Sequence, residues 1–536
     1  MTATLARPLR RSKSLRAIDY LHRGAARRAD AIAIAGPGEP LTYRELVTDV
    51  HALASALQSL DARAGSRVGI CARNTTEHLV ALLATYAAGK VWVPLNPRNG
   101  RAELDAMIGV ARPTLFVADQ SCLDRFTPTA APIVIAKQTG PTELPAVARL
   151  IARHRGETPV PVAHDPDDEQ IIKFSGGSTG APKAVVQPAR SLDAQARGLG
   201  DFFQLDASDA NLIAAPLTHG SSCFVLPIFA AGGSHTLVED PKPDAVLTAI
   251  RERAITTLYA PPTLIYSLID ALPEAEPLAS SLRHLIYSAA PMSAERIRQA
   301  QRVFGPVVET AYGQVEAPQI ITAMRASEMV GDNLASVGRP SPVARVAIVD
   351  EAGAPVSAMQ LGEIVVQGPL VMSGYLDQPE LTARTLVNGW LHTGDLGYLD
   401  ERGYLYIRGR LREVINSGGF KVYPGDVEAA LQRHPAVVEA CAFGVSDAKW
   451  GEAVHAAVRL ANPGSVSDAA LVAFVKAELD SIKAPKRIHF VDSLSRTPAG
   501  KVSRAAVRAV LGLEAPITSR TSIAPSPPHR STGRDS

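Results

Sequence analysis

The sequence predicts an α/β protein. We expect a large N-terminal domain of two helix-covered, parallel-rich sheets plus a small β unit, followed by a small α+β C-terminal domain. Strand patterns alternate with helix patterns from about residue 66 to residue 290, which is typical of parallel sheets covered by helices. Short strands and tight turns replace this alternation between residues 345 and 407. The chain of 536 residues is also longer than a single hydrophobic core usually serves, so at least two domains are expected.

Each predicted element rests on its own apolar period and on the turn residues beside it. In chain order, strands are predicted at 67–72, 91–95, 256–260 and 282–288, and helices at 77–88, 244–254 and 262–269. The turns at 350–353 and 400–403, Asp-Glu-Ala-Gly and Asp-Glu-Arg-Gly, indicate the hairpins of the β unit. After residue 409, helices near 425–432 and 468–479 and strands near 437–444 and 487–491 predict the second domain.

Composition limits the classes of function. The net charge of +2 gives no reason to expect nucleic acid or an anionic membrane as a bulk partner. The cysteines are scattered without a C-x-x-C pair, so neither a disulfide framework nor a zinc site is indicated, and a reducing cytoplasm is expected. These cysteines are Cys71, Cys122, Cys223 and Cys441.

One uncharged stretch, residues 212–233, nearly reaches the length of a membrane span. Pro216, Gly220 and Pro227 interrupt it, so we predict a buried wall or pocket lining and no transmembrane segment.

Residues 170–186, QIIKFSGGSTGAPKAVV, predict a strand that runs into a phosphate-binding loop. Glycines let consecutive backbone N–H groups approach an anion, hydroxyls add donors, and a lysine adds positive charge. The residues of this loop are Ser175, Gly176, Gly177, Ser178, Thr179, Gly180 and Lys183. The Walker pattern fails because Ala181 follows Gly180. The segment also fits G-x-S-x-G, the nucleophile elbow of α/β hydrolases, with Ser178 as nucleophile, and a plain glycine turn remains a third interpretation.

Six further motifs follow in order. They are PLTHG (216–220), SAAP (288–291), AYGQVE (311–316), WLHTGDLG (390–397), GRLREVINSGGFKVYPGDVE (409–428) and RTPAGK (496–501). Over residues 31–511 this series resembles the adenylate-forming superfamily of acyl-CoA synthetases, nonribosomal adenylation domains and luciferases, and most of all a stand-alone acyl-CoA synthetase. The resemblance implies that ATP, Mg²⁺ and a carboxylic acid, fatty or aryl, yield an acyl-AMP and pyrophosphate. The acyl group then passes to coenzyme A, or alternatively to the phosphopantetheine of a separate carrier protein.

The same resemblance implies roles for individual residues. Tyr312 would pack on the adenine, Asp395 would accept hydrogen bonds from the ribose hydroxyls, and Arg410 would lie beside the ribose and phosphates. Glu316 resembles the carboxylate associated with Mg²⁺. Lys501 resembles the catalytic lysine that bridges the acyl carboxylate and the α-phosphate. ATP binding is implied for the loop residues given above and for Ser288, Ala289, Ala290, Pro291, Ala311, Tyr312, Gly313, Asp395 and Arg410.

The second half-reaction is expected to involve other motifs and a mobile C-terminal domain. His219, Gly220 and Ser221 are implied in the acyl pocket, and Arg412 at the hinge. The coenzyme A tunnel is implied at Ser417, Gly418 and Gly419. The expected domains are a basic flexible N-terminus (1–17), an adenylation domain (18–409), a hinge (410–412), a mobile domain (413–511) and a disordered tail (512–536).

The sequence departs from the family pattern at Val315, which stands where the family has Thr. Loss of a hydrogen bond to phosphate costs about 1.5–3 kcal/mol, which predicts adenylation slower by one to two orders of magnitude unless Gln314 compensates. A non-catalytic nucleotide-binding protein is therefore one alternative, and a hydrolase using Ser178 is another. Taken singly, Asp395 could also be an ordinary turn residue and Lys501 a solvated lysine.

Overall fold

The computed structural model describes residues 15–36, 38–127, 129–175, 182–272, 278, 280–497 and 502–513. The chain divides into two compact units. The larger comprises Met1–Arg412 with Arg496–Lys501, and the smaller comprises Glu413–Ser495 with Val502–Ser536. The domain bounds given above stay a prediction. The basic N-terminus and the tail that the sequence predicts to be disordered lie largely outside the described residues.

The helices and strands are numbered here along the chain. The helices are α1 (Ala17–Arg28), α2 (Tyr43–Leu60), α3 (Thr76–Ala87), α4 (Arg101–Ala111), α5 (Val147–Arg153), α6 (Ala189–Phe203), α7 (Val225–Ala231), α8 (Pro243–Glu252), α9 (Pro262–Asp270), α10 (Ala294–Phe304), α11 (Pro379–Thr385), α12 (Pro424–Gln432), α13 (Asp468–Glu478) and α14 (Arg504–Val510). The strands are β1 (Ile32–Ile34), β2 (Leu41–Thr42), β3 (Arg67–Cys71), β4 (Val91–Pro94), β5 (Leu115–Ala118), β6 (Ile133–Ile135), β7 (Glu169–Ser175), β8 (Lys183–Pro188), β9 (Ala210–Ile213), β10 (Ser234–Leu237), β11 (Thr257–Ala260), β12 (His284–Tyr287), β13 (Val308–Tyr312), β14 (Thr322–Met324), β15 (Arg339–Pro340), β16 (Arg345–Val349), β17 (Gly362–Gln367), β18 (Gly374–Tyr375), β19 (Leu386–Val387), β20 (Trp390–Leu399), β21 (Leu405–Arg410), β22 (Ile415–Ser417), β23 (Phe420–Val422), β24 (Val437–Asp447), β25 (Gly451–Leu460) and β26 (Arg487–Phe490).

The larger unit, in its described part, contains three sheets. One has the order β15-β14-β13-β12-β11-β9-β10-β1-β2 and is parallel from β13 to β1. A second has the order β18-β8-β7-β4-β3-β5-β6 and is parallel from β7 to β6. The third is antiparallel, with β16-β17-β20-β19 in order and β21 paired to β20. The predicted fold class is confirmed.

Local sequence explains where several helices begin. Thr42 and Glu45 form a capping box at the start of α2, where the Thr42 hydroxyl accepts from the Glu45 N–H and the Glu45 carboxylate accepts from the Thr42 N–H. Thr75 and Ser293 cap α3 and α10 in the same way with their hydroxyls. These caps satisfy N–H groups that have no partner within the helix, so each helix begins at a defined residue.

The smaller unit is an α+β body. Its sheet has the order β23-β22-β25-β24, and β26 pairs in parallel with β25. Arg504 is partly buried between Glu413 and Glu428 and donates to both carboxylates, at 2.6 and 2.7 Å. This charge pairing offsets the cost of partly desolvating three ionic groups.

Residues 212–233 comprise the end of β9, a short 3-10 helix and α7, and they are mostly buried, as predicted for a buried wall or pocket lining. Among the described residues, no helix has the length and apolar character that crossing a membrane requires. All four cysteines are buried and carry free thiols.

Candidate active site

Three of the predicted motifs lie at one edge of the nine-stranded sheet. β12 and β13 are adjacent and parallel, with Tyr287 beside Thr310. Because parallel strands end at the same edge, the motif that follows Tyr287 and the one that ends β13 at Tyr312 lie together. β9 belongs to the same parallel set and leads into PLTHG. This edge is where open α/β sheets bind their ligands.

The predicted phosphate loop connects two antiparallel strands of the second sheet. β7 pairs antiparallel with β8, and Ser175 lies opposite Lys183 in the register. The loop residues 176–181 lie outside the described residues. A nucleophile elbow requires a strand-to-helix turn, whereas this loop connects two antiparallel strands. The hydrolase interpretation of Ser178 is therefore wrong.

Glu316 links the two sheets. Its Oε1 accepts hydrogen bonds from the Ser175 hydroxyl at 3.2 Å and from the Tyr375 hydroxyl at 2.9 Å. The Lys183 ammonium lies 5.8 Å from the centre of the Tyr375 ring, within the range of a cation–π contact. Ser175, Lys183 and Glu316 are thus brought together, with Tyr375 in contact with both Lys183 and Glu316.

Asp395 forms a second junction, this time with the antiparallel sheet. Its Oδ2 accepts from the Tyr312 hydroxyl and from Gln314 Nε2, both at 2.6 Å, and its Oδ1 forms an ion pair with Arg410 Nε at 3.2 Å. Burial, and next the negative charge of Asp395, raise the pKa of Tyr312 well above its usual value, so its hydroxyl stays a donor. Asp395 lies within β20 opposite Arg410, and the simple turn interpretation of this residue is wrong.

Val315 packs against a core cluster of the larger unit. Gln314 donates its amide to Asp395 and to the Thr393 carbonyl, at 2.6 and 3.1 Å. In this arrangement Gln314 serves the Asp395 junction and does not replace the hydroxyl that is missing at Val315.

Two backbone positions beside the nucleotide motifs tolerate little change. A Cβ at Gly313 would come within 2.3 Å of the Gln319 nitrogen, so only glycine fits there. Ala289 has φ of 74°, in the left-handed region that costs an L-residue about 1–2 kcal/mol. Local strain of this kind is common at ligand sites.

A partly buried lysine supports the PLTHG loop through hydrogen bonds. Lys173 is partly buried and donates to the His219 carbonyl and to the Ser222 hydroxyl, both at 3.2 Å, while its ammonium lies 5.4 Å from the centre of the Trp92 ring. Burial lowers the pKa of Lys173. The implied pocket residue His219 therefore has a fixed backbone position, and its Nδ1 lies 3.1 Å from the Thr218 hydroxyl.

Asn74 fixes the other end of this loop. Its amide nitrogen donates to the Ala215 carbonyl at 3.0 Å, and its oxygen accepts from the Leu217 N–H at 2.9 Å. The Ser221 hydroxyl donates to the carbonyls of Ala215 and Pro216, both at 2.8 Å, so it holds the loop in shape. A Cβ at Gly220 would lie 2.2 Å from the Tyr259 hydroxyl oxygen, which explains the glycine.

The implied tunnel residues lie in the smaller unit. Ser417 ends β22, and Gly418 and Gly419, with φ of 59° and 86°, form the turn into β23. Two consecutive residues with positive φ fit the tight turns of two-residue hairpins, so the fold itself requires these glycines. Arg412 is the last residue of the larger unit before the division. Lys501 lies outside the described residues.

The sequence analysis missed four residues that shape the site: Asn74, Lys173, Gln314 as a partner of Asp395, and Tyr375. Lys173 gave one signal, since it is a single charge within the apolar run of β7. Tyr375 gave none, because its contact with Glu316 joins positions 59 residues apart in the chain.

Comparison with known proteins agrees with this geometry. The family described as AMP-binding enzyme matches residues 21–376, and its C-terminal domain matches residues 426–501. The chain belongs to this family of AMP-binding enzymes, which confirms the resemblance to the adenylate-forming superfamily.

The relatives named here are ligases or synthetases. The medium/long-chain-fatty-acid–CoA ligase FadD8 of Mycobacterium tuberculosis is 34% identical over 491 residues, which cover 88% of this chain and 85% of that protein. Feruloyl-CoA synthase of Amycolatopsis is 34% identical over 488 residues, covering 90% and 96%. The solved amide bond synthetase McbA of Marinactinospora thermotolerans superposes with a TM-score of 0.83 at 30% identity, covering 92% and 100%. The prediction of an enzyme of the acid–thiol ligase class is confirmed.

Proposed function

We propose that this chain is an ATP- and Mg²⁺-dependent carboxylate–CoA ligase that activates a fatty or aryl acid. One observation carries the proposal: Glu316 accepts a hydrogen bond from Ser175, at the base of the phosphate loop. That contact brings the phosphate-binding edge of one sheet to the carboxylate that follows Tyr312 on the other. The names of the relatives support both acid classes and coenzyme A as acceptor.

The residues at Glu316 fit a magnesium ion. Both hydrogen bonds to its Oε1 come from uncharged hydroxyls, so neither contact supplies a positive charge in place of a bound cation. Within the described part of the chain, no cluster of three or more His, Cys, Asp or Glu could hold a metal. A single carboxylate suits Mg²⁺, which usually binds one or two protein carboxylates together with substrate phosphates and water. When bound, Mg²⁺ supplies charge neutralisation at the triphosphate.

The chain's own residues supply positioning and charge. Lys183 and Ser175 are proposed to hold the β- and γ-phosphates, and Asp395 is proposed to accept hydrogen bonds from the ribose hydroxyls. The acid carboxylate attacks the α-phosphorus, the bond to the β-phosphate oxygen breaks, and pyrophosphate leaves. Lys501 is assigned to the charge that develops between the acid and the α-phosphate. His219, Gly220 and Ser221 are proposed to border the acid, and Ser417, Gly418 and Gly419 the thiol arm, with Arg412 as hinge.

Pyrophosphate release tests the proposal. Purified protein with ATP and Mg²⁺ is offered fatty, aryl and short carboxylic acids, each with coenzyme A, with a phosphopantetheinylated carrier protein, or with neither. Release that depends on a particular acid and rises with coenzyme A is expected. If release rises only with the carrier protein, the acceptor is a carrier protein and not coenzyme A. If no acid changes the rate of pyrophosphate release, the ligase assignment is contradicted.

A further inference from the structure

Tyr375 lies outside every motif that suggested the function, yet it contacts two of the proposed ATP-site residues. Its hydroxyl donates to Glu316 Oε1 at 2.9 Å. Its ring faces the Lys183 ammonium at 5.8 Å. One side chain therefore meets the proposed metal carboxylate through its hydroxyl and the proposed phosphate lysine through its π face.

The backbone holds this tyrosine firmly. Tyr375 in β18 pairs with Val185 in β8, the strand that begins at Lys183. The Tyr375 N–H donates to the Thr382 hydroxyl at 2.9 Å, and the Leu376 N–H donates to the Ala184 carbonyl at 2.8 Å. Ring and lysine are thus carried by neighbouring strands with a fixed register, so their separation is set by the sheet.

The chemistry of the two contacts differs in a useful way. A tyrosine hydroxyl is an uncharged donor at physiological pH, and that of Tyr375 donates to Glu316 Oε1. A neutral donor orients a carboxylate without cancelling its charge. The ring face attracts the lysine ammonium without competing for its hydrogen-bond donors. Glu316 therefore stays available to a cation, and Lys183 to an anion.

We propose that Tyr375 is a positioning residue that holds Glu316 for Mg²⁺ and Lys183 for the terminal phosphates of ATP. This inference rests on the proposed function of the site. It predicts two separable effects, because the hydroxyl acts on the carboxylate and the ring acts on the lysine. Tyr375→Phe removes only the first contact, and Tyr375→Leu removes both.

Tyr404 provides a matched control. Its hydroxyl also donates to a glutamate, Glu328, at 2.7 Å, and Arg339 and Arg402 lie over its ring at 4.7 and 4.9 Å. Tyr404→Phe therefore deletes the same kind of contact in the same unit, away from the proposed ATP site. A general loss of stability would affect both Phe variants alike.

Two measurements are made on each full-length protein. The first is acid-dependent pyrophosphate exchange as a function of Mg²⁺ concentration. The second is the rise in melting temperature caused by ATP, with and without Mg²⁺, which needs no turnover. Tyr375→Phe is expected to raise the Mg²⁺ concentration for half-maximal exchange about tenfold, as expected for losing a hydrogen bond to a charged group. The ATP-induced shift without Mg²⁺ should be unchanged in Tyr375→Phe and reduced in Tyr375→Leu.

The inference is overturned if Tyr375→Phe matches wild type and Tyr404→Phe in both measurements. It is also overturned if Tyr375→Phe weakens ATP binding equally with and without Mg²⁺. If wild type shows no acid-dependent exchange, the ligase proposal fails instead. The melting shifts with ATP and Mg²⁺ still decide whether Tyr375 serves a metal–nucleotide site.

Discussion

Replacing Asp395 with Asn tests the nucleotide site most directly. The carboxylate accepts two hydrogen bonds at Oδ2, from Tyr312 and Gln314, and faces the guanidinium of Arg410 at Oδ1. An Asn amide must place its NH₂ group at one of these positions. There it would meet either two donors or a cation, so at least one favourable contact is lost in either orientation.

The expected magnitude follows from that count. A hydrogen bond to a charged group contributes about 1.5–3 kcal/mol, and 1.36 kcal/mol corresponds to a tenfold change. Asp395→Asn should therefore lower kcat/KM for ATP by about tenfold to a hundredfold. The KM for the carboxylic acid should change little, because the side-chain partners described for Asp395 are Tyr312, Gln314 and Arg410, which are not proposed to border the acid.

ATP analogues separate a role in ribose binding from a role in folding. If Asp395 accepts from the ribose, wild type should use 2′-deoxy-ATP and 3′-deoxy-ATP less well than ATP, and Asp395→Asn should lose most of this discrimination. Asp400→Asn is the control, since Asp400 holds the turn of the same β20–β21 hairpin through the N–H groups of Arg402 and Tyr404. Equal discrimination in wild type and Asp395→Asn would refute the assignment.

Three further outcomes are expected. Lys501→Ala should reduce acyl-AMP formation by roughly two to three orders of magnitude and spare thiolysis of a supplied acyl-AMP, as single-turnover assays of the two half-reactions would reveal. Val315→Thr should leave the rate of adenylation, measured by pyrophosphate exchange, unchanged or higher, because threonine is nearly the same size as valine and restores the hydroxyl. Burial lowers the pKa of His78 and of His235 from 6.5 to about 4 in the fold. The unfolded state then binds more protons below pH 6.5, so the free energy of unfolding should fall by roughly 3 kcal/mol per histidine as pH drops from 6.5 to 4, measured by urea titration.

Each of these has a contradicting result. Equal loss in both half-reactions would remove the adenylation role of Lys501. A large drop in Val315→Thr would mean that the site has no room for the hydroxyl. A free energy of unfolding that stays level from pH 6.5 to 4, or a His235→Gln variant with an unchanged pH slope, would contradict the assignment of neutral buried imidazoles.

The sequence predicted the regular elements well where their period was strong. The predicted strand at 91–95 and helix at 262–269 correspond to Val91–Pro94 and Pro262–Asp270. The returning strand β8 was not predicted, because its pairing with β7 depends on contacts across a loop rather than on local period. Short strands such as β18 carry too few residues for any period.

The candidate site was predicted by motif and completed by contacts that no motif contains. The Tyr312 hydroxyl meets Asp395 across 83 residues of chain, and only the folded sheets bring them together. Gln314 lies within AYGQVE, and the direction of its side chain depends on its contacts with Thr393 and Asp395 of the antiparallel sheet. The glycines at 418 and 419 illustrate the reverse case, since a hairpin turn explains them as well as a tunnel does.

Lys173 lowers the stability of this fold, and its contribution to the site would explain why the residue is present. A partly buried ammonium that contacts a carbonyl, a hydroxyl and an aromatic ring gives up part of its hydration. Exchange for methionine should therefore make the protein harder to unfold while loosening the loop that carries His219. Variants selected for heat resistance alone would then replace this lysine, whereas variants selected for turnover would retain it.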